Sequence, residues 1–398
     1  MKDVIVGLQW GDEGKGKVVA FFSQFYDAVV RYSGGSNAGH TIEYNDEIKI
    51  VNHLLPSFYI KKSIELIISA GVVVDLEILY NEIENLKNKI EILPEIKISN
   101  LSHIVLPVHK KLDEKYDSVN KIGTTKRGIG PAFADRVNRL GIRIKDLENE
   151  KKLQKKIERI STIYEKIFGI NFDFNDLKKF YNYLKPYITS QLEIIEDIKN
   201  KKVLFEGTQA VLLDLDMGTY PYVTGSNCST SGVHSGIGFP VKLDNLLGVF
   251  KAYLTRVGNG PFPTELTGEE AELLRNKGKE FGATTGRPRR VGWLDLVLLK
   301  YAISVSGVNE MIMTKGDILN GLEKIPVCIG YKINGKFVDK ILDIEEIEEA
   351  EPIYTYLDGW HDVKDYTFKK YIAFIEDFVG VKIKGFSFGP KVDQIKIF

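Results

Sequence analysis

A glycine- and lysine-rich stretch near the N-terminus carries residue types that bind phosphate. Gly16 and Lys17 close a G-x-x-x-x-G-K pattern that starts at Gly11, between the strand-like run DVIVGLQ and the helix-like run VVAFFSQF. Backbone N–H groups at such a helix N-terminus attract phosphate. Two features depart from the usual loop, because Val18 replaces the Ser or Thr that binds magnesium and Asp12 places an acid beside the anion. A carboxylate is tolerated there if a metal ion offsets its charge or a bound group gives it a proton, so Asp12 is a candidate magnesium ligand, general base, or both.

A second loop, SGGSNAGHT at residues 33–41, presents a histidine after a strand-like run. Its glycines and Asn37 favour a turn in which the backbone can approach a ligand closely, and no apolar periodicity surrounds His40. A single histidine is often a structural residue, but the position of His40 in this turn favours a functional role. Asp12 in one loop and His40 in another predict a base and acid pair.

Two later segments combine glycine, threonine and arginine in the manner of anion sites. Residues 121–143 offer Thr124, Thr125, Arg127 and Arg139, although a basic surface loop is the alternative for each arginine taken singly. Residues 282–295 concentrate three arginines within four positions, namely Arg287, Arg289 and Arg290. Guanidinium groups at this density, beside small hydrogen-bond donors, suit a dicarboxylate or a polyphosphate.

Two strand ends supply groups that could recognise a nucleoside. Gln209 and Thr224 follow the run VLFEG, and ligands of open α/β sheets bind beyond the carboxyl ends of strands. Asp317 follows the run MIMT within TKGD and can accept both N1–H and the exocyclic amine of guanine. Adenine lacks that donor pair and would leave the carboxylate unpaired, so the segment favours guanine.

The overall composition is that of a globular α/β chain with no net charge to attract nucleic acid or an anionic membrane. The 398 residues include 54 basic and 54 acidic side chains, and 43% are hydrophobic. Cys228 and Cys328 lie far apart in no metal-type spacing, which favours reduced thiols in a cytoplasm. The N-terminus does not fit a signal peptide, and no apolar run approaches membrane-spanning length. We therefore expect a cytoplasmic protein that binds neither nucleic acid nor membrane.

Short apolar runs predict an α/β fold with a large, mostly parallel central sheet flanked by helices. The predicted strands are VIVGLQ and residues 29–33, 65–69, 103–108, 203–207, 246–255 and 311–315. Residues 144–202 are rich in Lys, Glu, Ile and Leu at helical spacing, so we predict a helical insertion within a single domain spanning 1–398. Asn334-Gly335 between two strand-like runs predicts a hairpin.

Taken in order, these segments resemble the adenylosuccinate synthetase family, whose members join aspartate to inosine monophosphate (IMP) at the expense of GTP. The matching motifs are QWGDEGKGK, NAGHT, GTTKRGIGP, EGTQ, YPYVTGSN, PFPTEL, GATTGRPRRVGWLD, TKGD and FSFGP. The series covers nearly the whole chain, which makes the resemblance specific. It implies a fold distantly similar to P-loop GTP-binding proteins.

The resemblance also implies why an acid lies in the phosphate loop. Asp12 matches the base that takes the N1 proton of IMP, so that O6 attacks the γ-phosphate of GTP, and Asp12 and the carbonyl of Gly39 match the Mg²⁺ ligands. His40 matches the general acid, and Lys15 and Gln209 match residues that support this step. The 6-phosphoryl-IMP intermediate then loses phosphate to the amine of aspartate, giving adenylosuccinate in the first committed step of AMP synthesis from IMP.

The remaining binding residues follow from the same resemblance. Those matching GTP contacts are Gly11, Asp12, Glu13, Gly14, Lys15, Gly16, Lys17, Gly39, His40, Thr41, Arg289, Lys315, Gly316, Asp317, Ser387, Phe388 and Gly389. Those matching IMP contacts are Asp12, Glu13, Gly14, Lys15, Asn37, Ala38, Gly39, His40, Thr125, Arg139, Gln209, Thr224 and Arg287. Those matching the aspartate loop are Ala283, Thr284, Thr285, Gly286, Arg287, Pro288 and Arg289. Arg139 matches an arginine that reaches the neighbouring subunit's IMP, so a homodimer with shared sites is implied.

Two other functions use similar parts. A GTP-hydrolysing switch protein would keep Ser or Thr at position 18 and would not need Asp12, His40 or the three arginines. A purine-nucleotide sensor on the same fold would be expected to lose Asp12 or His40, and both are present. Two residues depart from the family's pattern, Lys126 where many relatives have glycine and Phe388 where a smaller residue is common, and the second bears on guanine packing.

Overall fold

The chain folds around a ten-stranded sheet. The computed structural model describes residues 1–170, 174, 176–282, 286 and 288–398. In these ranges the strands are β1 (Lys2–Gly7), β2 (Ala28–Arg31), β3 (His40–Glu43), β4 (Lys49–Asn52), β5 (Glu65–Ile68), β6 (Val73–Val74), β7 (Glu95–Ser99), β8 (His103–Ile104), β9 (Ile188–Thr189), β10 (Val203–Glu206), β11 (Leu246–Lys251), β12 (Tyr253–Arg256), β13 (Arg290–Asp295), β14 (Glu310–Thr314), β15 (Lys324–Ile333), β16 (Lys336–Val338), β17 (Glu351–Asp358), β18 (Lys382–Ser387) and β19 (Ile395–Ile397).

The α-helices surround this sheet and the smaller ones. They are α1 (Lys15–Ser23), α2 (Leu76–Lys87), α3 (Pro107–Asn120), α4 (Ile129–Val137), α5 (Glu150–Phe168), α6 (Leu177–Leu184), α7 (Gln191–Lys199), α8 (Gly232–Ile237), α9 (Gly268–Gly278), α10 (Leu296–Ser306) and α11 (Tyr366–Val379). Short 3-10 helices lie at Ile144–Glu148, Lys185–Tyr187, Val211–Leu213, Gly316–Leu319 and Ile344–Glu349. No helix in the described ranges combines the length and apolar character needed to cross a bilayer.

The central sheet has the strand order β19-β18-β14-β11-β1-β10-β2-β5-β7-β9. Its neighbouring strands are parallel except for the β18–β19 pair at one edge. Buried residues of β1 contribute to a hydrophobic cluster on each face, with Val4 and Val6 in one and Ile5 in the other. The expectation of a large, mostly parallel sheet flanked by helices is therefore confirmed.

A smaller sheet is built from β12, β13, β15, β16 and β17. The hairpin predicted at Asn334-Gly335 joins β15 to β16, which are antiparallel with Ile333 opposite Lys336. Asn334 and Gly335 both adopt positive φ, at 49° and 78°. This backbone conformation matches the twist of the two strands and favours Asn-Gly at the turn.

Two predicted strands are wrong in extent. Residues 246–255 form β11 in the central sheet and β12 in the smaller sheet, and the apolar run gives no sign of this break at Ala252. Of residues 103–108, the first two form β8, and Pro107 opens α3. Proline suits the first helical position because its missing N–H has no partner there.

Residues 144–202 carry α5, α6 and α7, with β9 between the last two helices. Ile194 and Ile198 of α7 belong to a main hydrophobic cluster, and β9 pairs with β7 at the edge of the central sheet. The last part of this segment, β9 and α7, therefore packs against the central sheet. The interpretation of 144–202 as a helical insertion in a single domain stays a prediction.

Candidate active site

Several segments that were predicted from the sequence to bind ligands or to catalyse lie at one edge of the central sheet. The phosphate loop, the histidine loop, Gln209, the TKGD segment and Phe388–Gly389 follow β1, β2, β10, β14 and β18 in turn. These strands are parallel and lie together with β11 in the sheet, so their carboxyl ends share one edge. Such an edge is where open α/β sheets bind ligands.

The phosphate loop is shaped by a carboxylate that turns inward. Glu13 is fully buried, and its Oε1 accepts hydrogen bonds from the backbone N–H groups of Gly11 at 2.8 Å and Gln9 at 3.1 Å. Its Oε2 accepts a hydrogen bond from Lys15 Nζ at 2.6 Å. A Cβ at Gly7 would lie 2.4 Å from that oxygen, so only glycine leaves room for the pair. Glu13 and Lys15, both predicted to bind nucleotide, here bind each other.

Asp12 points outward from the same loop and keeps a partly exposed carboxylate. Its backbone φ is 61°, between Gly11 and Gly14 at 93° and 84°. Its Oδ2 lies 2.6 Å from Nε of Arg289, which the sequence predicted to contact GTP and aspartate. The predicted base is therefore next to one of the predicted substrate-binding arginines.

Arg289 is held in turn by Glu280, a buried carboxylate that the sequence analysis missed. Glu280 Oε2 accepts from Arg289 Nη1 at 2.8 Å, and Oε1 accepts from Lys315 Nζ at 2.7 Å and Lys251 Nζ at 3.1 Å. Burial alone would raise the pKa of Glu280, but the charges of these three cations outweigh it and lower the pKa. The network links the phosphate loop to the TKGD segment.

His40 begins β3 and lies against the first turn of α1. A Cβ at Gly16 would be 2.7 Å from the Cβ of His40, so glycine permits this contact. Nδ1 of His40 is 2.5 Å from Oε1 of Glu206, the last residue of β10, and 3.2 Å from Nη1 of Arg31. Burial lowers the pKa of His40, and Arg31 adds to this effect while Glu206 opposes it. Glu206 is the partner that orients the ring and leaves Nε2 to face away from this contact.

Glu206 itself is buried among donors. Its Oε2 accepts from the backbone N–H of Ser57 at 2.7 Å, and Oε1 accepts from Ser57 Oγ at 2.7 Å. Burial would raise the pKa of Glu206, but Arg31 and His40 outweigh it and lower the pKa to about 2. A carboxylate closing the otherwise apolar strand VLFE is a sequence signal that could have identified it. Glu280 lies in a polar segment, NKGKEFG, that offers no comparable signal.

Predicted IMP residues meet between the histidine loop and the segment after β10. Asn37 Nδ2 donates to Thr224 Oγ1 at 3.2 Å, and Ala38 is buried with its carbonyl accepting from His53 Nδ1 at 2.5 Å. Asn37 Oδ1 and Gln209 Oε1 are buried without a hydrogen-bond partner among the described residues. Gln209 also adopts a φ of 49°. Buried acceptors of this kind need a donor, so they suit the polar edge of a bound ligand.

The predicted guanine segments lie close to each other. Lys315 has a φ of 58° and donates through Nζ to the carbonyl of Gly278 at 2.7 Å. Asp317 is partly buried, and burial raises its pKa while Lys17 and Lys315 oppose the shift. Ser387 is buried at the end of β18, whereas the ring of Phe388 is 39% exposed. Phe388 is therefore available to pack against a ligand.

Other predicted residues lie elsewhere or outside the described ranges. Thr125 and Arg139 are exposed on either side of α4, with Lys126 and Arg139 at φ values of 56° and 61°. The aspartate loop is described only at Gly286, Pro288 and Arg289. The predicted residues that lie outside the described ranges are Ala283, Thr284, Thr285 and Arg287.

The fold and this edge define a nucleotide-binding α/β protein. The family description "Adenylosuccinate synthetase" matches residues 4–396. The chain is 59% identical to adenylosuccinate synthetase of Thermosipho africanus and 52% identical to that of Thermotoga maritima, over 99% of both chains in each case. It superposes with a TM-score of 0.91 on fully ligated adenylosuccinate synthetase from Plasmodium falciparum, at 36% identity over 100% of this chain and 99% of the other.

The chain belongs to the adenylosuccinate synthetase family. It is an enzyme, a ligase of purine nucleotide synthesis that joins L-aspartate to IMP with GTP. This membership does not favour the GTP-hydrolysing switch or the nucleotide sensor.

Proposed function

We propose that this chain forms adenylosuccinate, GDP and phosphate through a 6-phosphoryl-IMP intermediate, with Asp12 as the base and His40 as the acid. The observation that carries this proposal is the placement of both groups at one phosphate loop. Asp12 projects from the loop with its side chain 32% exposed, and His40 packs on Gly16 at the start of α1. A base and an acid so placed can act on opposite ends of one phosphoryl transfer.

The environments of the two groups support different roles. Asp12 faces the opening of the loop, where its carboxylate can accept N1–H of IMP and leave O6 as the nucleophile. The His40 side chain is 10% exposed and its Nδ1 contacts Glu206, so Nε2 is the atom available to the phosphoryl group. Lys15 and Gln209 would support the transfer, Lys15 with its charge and Gln209 with its unpartnered Oε1.

We propose Mg²⁺ as the cofactor, held by Asp12 and the carbonyl of Gly39. Within the described ranges, no three or more His, Cys, Asp or Glu side chains are grouped so that they could hold a metal ion by themselves. Mg²⁺ usually binds through one or two carboxylates together with substrate phosphates rather than in a cage of protein ligands. The donor set therefore fits, since Asp12 is partly exposed and pairs with Arg289 only through Oδ2. When bound, the ion would neutralise phosphate charge and orient the γ-phosphate.

We propose that Asp317 recognises guanine with help from Ser387, Phe388 and Gly389. The aspartate substrate would bind the loop at 283–289, where Arg289 pairs through Nη1 with the buried Glu280 and through Nε with the partly exposed Asp12. Asp12 and the substrate aspartate present the same chemical group to Arg289. The arginine can therefore exchange one carboxylate for the other as substrates bind.

We further propose a cytoplasmic homodimer that binds neither nucleic acid nor membrane. Arg139 is exposed just beyond α4, and nearby Val137 is 76% exposed. An outward arginine beside an outward apolar side chain supports a contact with a second copy of the chain. The zero formal charge supports the absence of an anionic polymer or surface as partner.

The direct test is phosphate release from GTP by the purified chain with magnesium, with and without IMP and aspartate. We expect release only when both are present, with adenylosuccinate as the product and a much lower rate when ATP replaces GTP. Release from GTP that is indifferent to IMP and aspartate would identify a GTPase and remove the proposed reaction.

Shared sites predict complementation between two inactive variants. Asp12→Asn removes the base from a subunit's own site, whereas Arg139→Ala removes the arginine that would reach the partner's site. In a mixed dimer both losses fall on one site and the other site is intact. We expect the mixture to recover part of the wild-type turnover. A mixture no more active than its separate components would contradict the shared site.

A further inference from the structure

The second lysine of the phosphate loop, Lys17, points to the C-terminal part of the chain. Its Nζ donates to the carbonyl of Gly389 and, at 3.1 Å, to the carbonyl of Gln394. Lys17 is 7% exposed and lies in the first turn of α1. These two carbonyls belong to residues 388–394, which we name the C-terminal turn.

The C-terminal turn is organised around Gln394. Phe388 N–H donates to the Gln394 carbonyl at 3.1 Å, and Lys391 N–H donates to Gln394 Oε1 at 2.8 Å. A Cβ at Gly389 would lie 2.3 Å from that Oε1. The turn is also tied to the strand of His40, because Val392 N–H donates to the carbonyl of Glu43 at 2.8 Å.

Lys17 is the donor that joins these two carbonyl oxygens, one on each side of the turn. If the ammonium moved away to a phosphate, the partly buried carbonyl of Gly389 would lose this donor, and that of Gln394 would keep only the N–H of Phe388. Burial lowers the pKa of Lys17 to about 7, against the opposing charges of Asp317 and Glu43. An amine can donate to carbonyls in either protonation state, whereas attraction to phosphate requires the charge.

We infer that Lys17 is a positioning residue for guanine recognition, which holds the C-terminal turn where Phe388 and Gly389 meet the base. The inference rests on the proposed use of GTP and on the proposed guanine segment. It separates the two lysines of the loop by function. Lys15, which pairs with Glu13 inside the loop, keeps its proposed role in the phosphoryl transfer, and Lys17 acts through the turn on the base.

The test measures how strongly two fragments of GTP inhibit the ligation reaction of wild type and of Lys17→Met. Guanosine has the base without phosphate, and inorganic tripolyphosphate has the phosphates without the base. As inhibitors competing with GTP, they report separately on the two ends of the nucleotide site. We expect the inhibition constant of guanosine to rise about tenfold, and that of tripolyphosphate to stay within about twofold, because the lost contacts are the two hydrogen bonds from Lys17 Nζ to the turn.

Lys17→Arg and Lys396→Met are the matched controls. The arginine keeps donors for the two carbonyls and should restore guanosine inhibition in large part. Lys396 is exposed on β19, two residues after Gln394, and its replacement should change neither inhibition constant. If the inhibition constant of tripolyphosphate in Lys17→Met rose by as much as that of guanosine, or by more, the inference would be overturned. Unchanged guanosine inhibition would overturn it as well.

If Lys17→Met does not fold, a second variant can be used in the same assay. Gln394→Ala leaves α1 intact and removes the side chain that accepts from Lys391 N–H within the turn. We expect this variant to be inhibited less strongly by guanosine and equally strongly by tripolyphosphate. Unaltered inhibition by guanosine would overturn the inference. Failure of wild type to form adenylosuccinate from GTP would instead remove the proposed function itself, so the two failures are distinguishable.

Discussion

Replacing Asp12 with asparagine is expected to reduce turnover by about 10²–10⁴-fold, the range that a positioned general base contributes. Asparagine keeps the shape of the side chain but cannot take the N1 proton of IMP, so O6 does not become a nucleophile. GTP binding should be largely kept, because Glu13 and the backbone N–H groups that shape the loop are unchanged. The measurement is the rate of adenylosuccinate formation, with GTP affinity determined by calorimetry.

The matched control for this substitution is Asp339→Asn, an exposed carboxylate beyond β16 in the smaller sheet. Its turnover should equal that of wild type. If Asp12→Asn kept turnover within a few-fold of wild type, Asp12 would not be the base. If GTP affinity fell in step with turnover, the main role of Asp12 would be in binding the nucleotide.

Replacing Glu206 with alanine is expected to lower the free energy of unfolding by about 3–5 kcal/mol, the cost of removing one partner of a buried ion pair. Glu206 is fully buried and lies 3.3 Å from Nη1 of Arg31, whose side chain is 1% exposed. Alanine would leave that guanidinium charge buried without its carboxylate. The change would also remove the partner of His40 Nδ1, so turnover should fall in the folded fraction.

Urea unfolding followed by circular dichroism measures this loss, and Glu150→Ala is the control. Glu150 pairs with Lys178 at 3.0 Å, but both side chains are largely exposed. Exposed ion pairs contribute little to the free energy of unfolding, so the control should unfold at the same urea concentration as wild type. A loss below about 1 kcal/mol in Glu206→Ala would mean that water or another group satisfies Arg31 when the carboxylate is absent.

Local patterns in the sequence predicted the main parts of the fold and the segments of the site. Buried parallel strands are apolar on both faces, so near-continuous apolar runs predicted β1, β2, β10 and β14, and Asn334-Gly335 predicted its own turn. The strands β7 and β18 were not predicted, since their sequences EIKIS and KIKGFS interleave lysine with the apolar residues. The division of 246–255 between two sheets depends on partners distant in the chain.

Pairings over long sequence separations were the part of the site that the sequence did not reveal. Lys17 meets a carbonyl 372 positions away, and His40 meets Glu206 across 166 positions. A single sequence shows which residue types could do chemistry, but the strand order decides which of them meet. The roles proposed for the site residues remain predictions for the experiments above.

The strand order of the central sheet also bears on how this enzyme is made. β1 is synthesised long before β18, which begins at Lys382 and lies next to β14 on the side of the sheet that carries the TKGD segment. Because synthesis runs from the N-terminal side, the phosphate loop is made well before β18 and the C-terminal turn, so the segments proposed to bind guanine are completed after the loop proposed to bind phosphates. Under the proposed assignment, a growing chain that lacks β18 has its phosphate loop and TKGD segment but still lacks Ser387, Phe388 and Gly389.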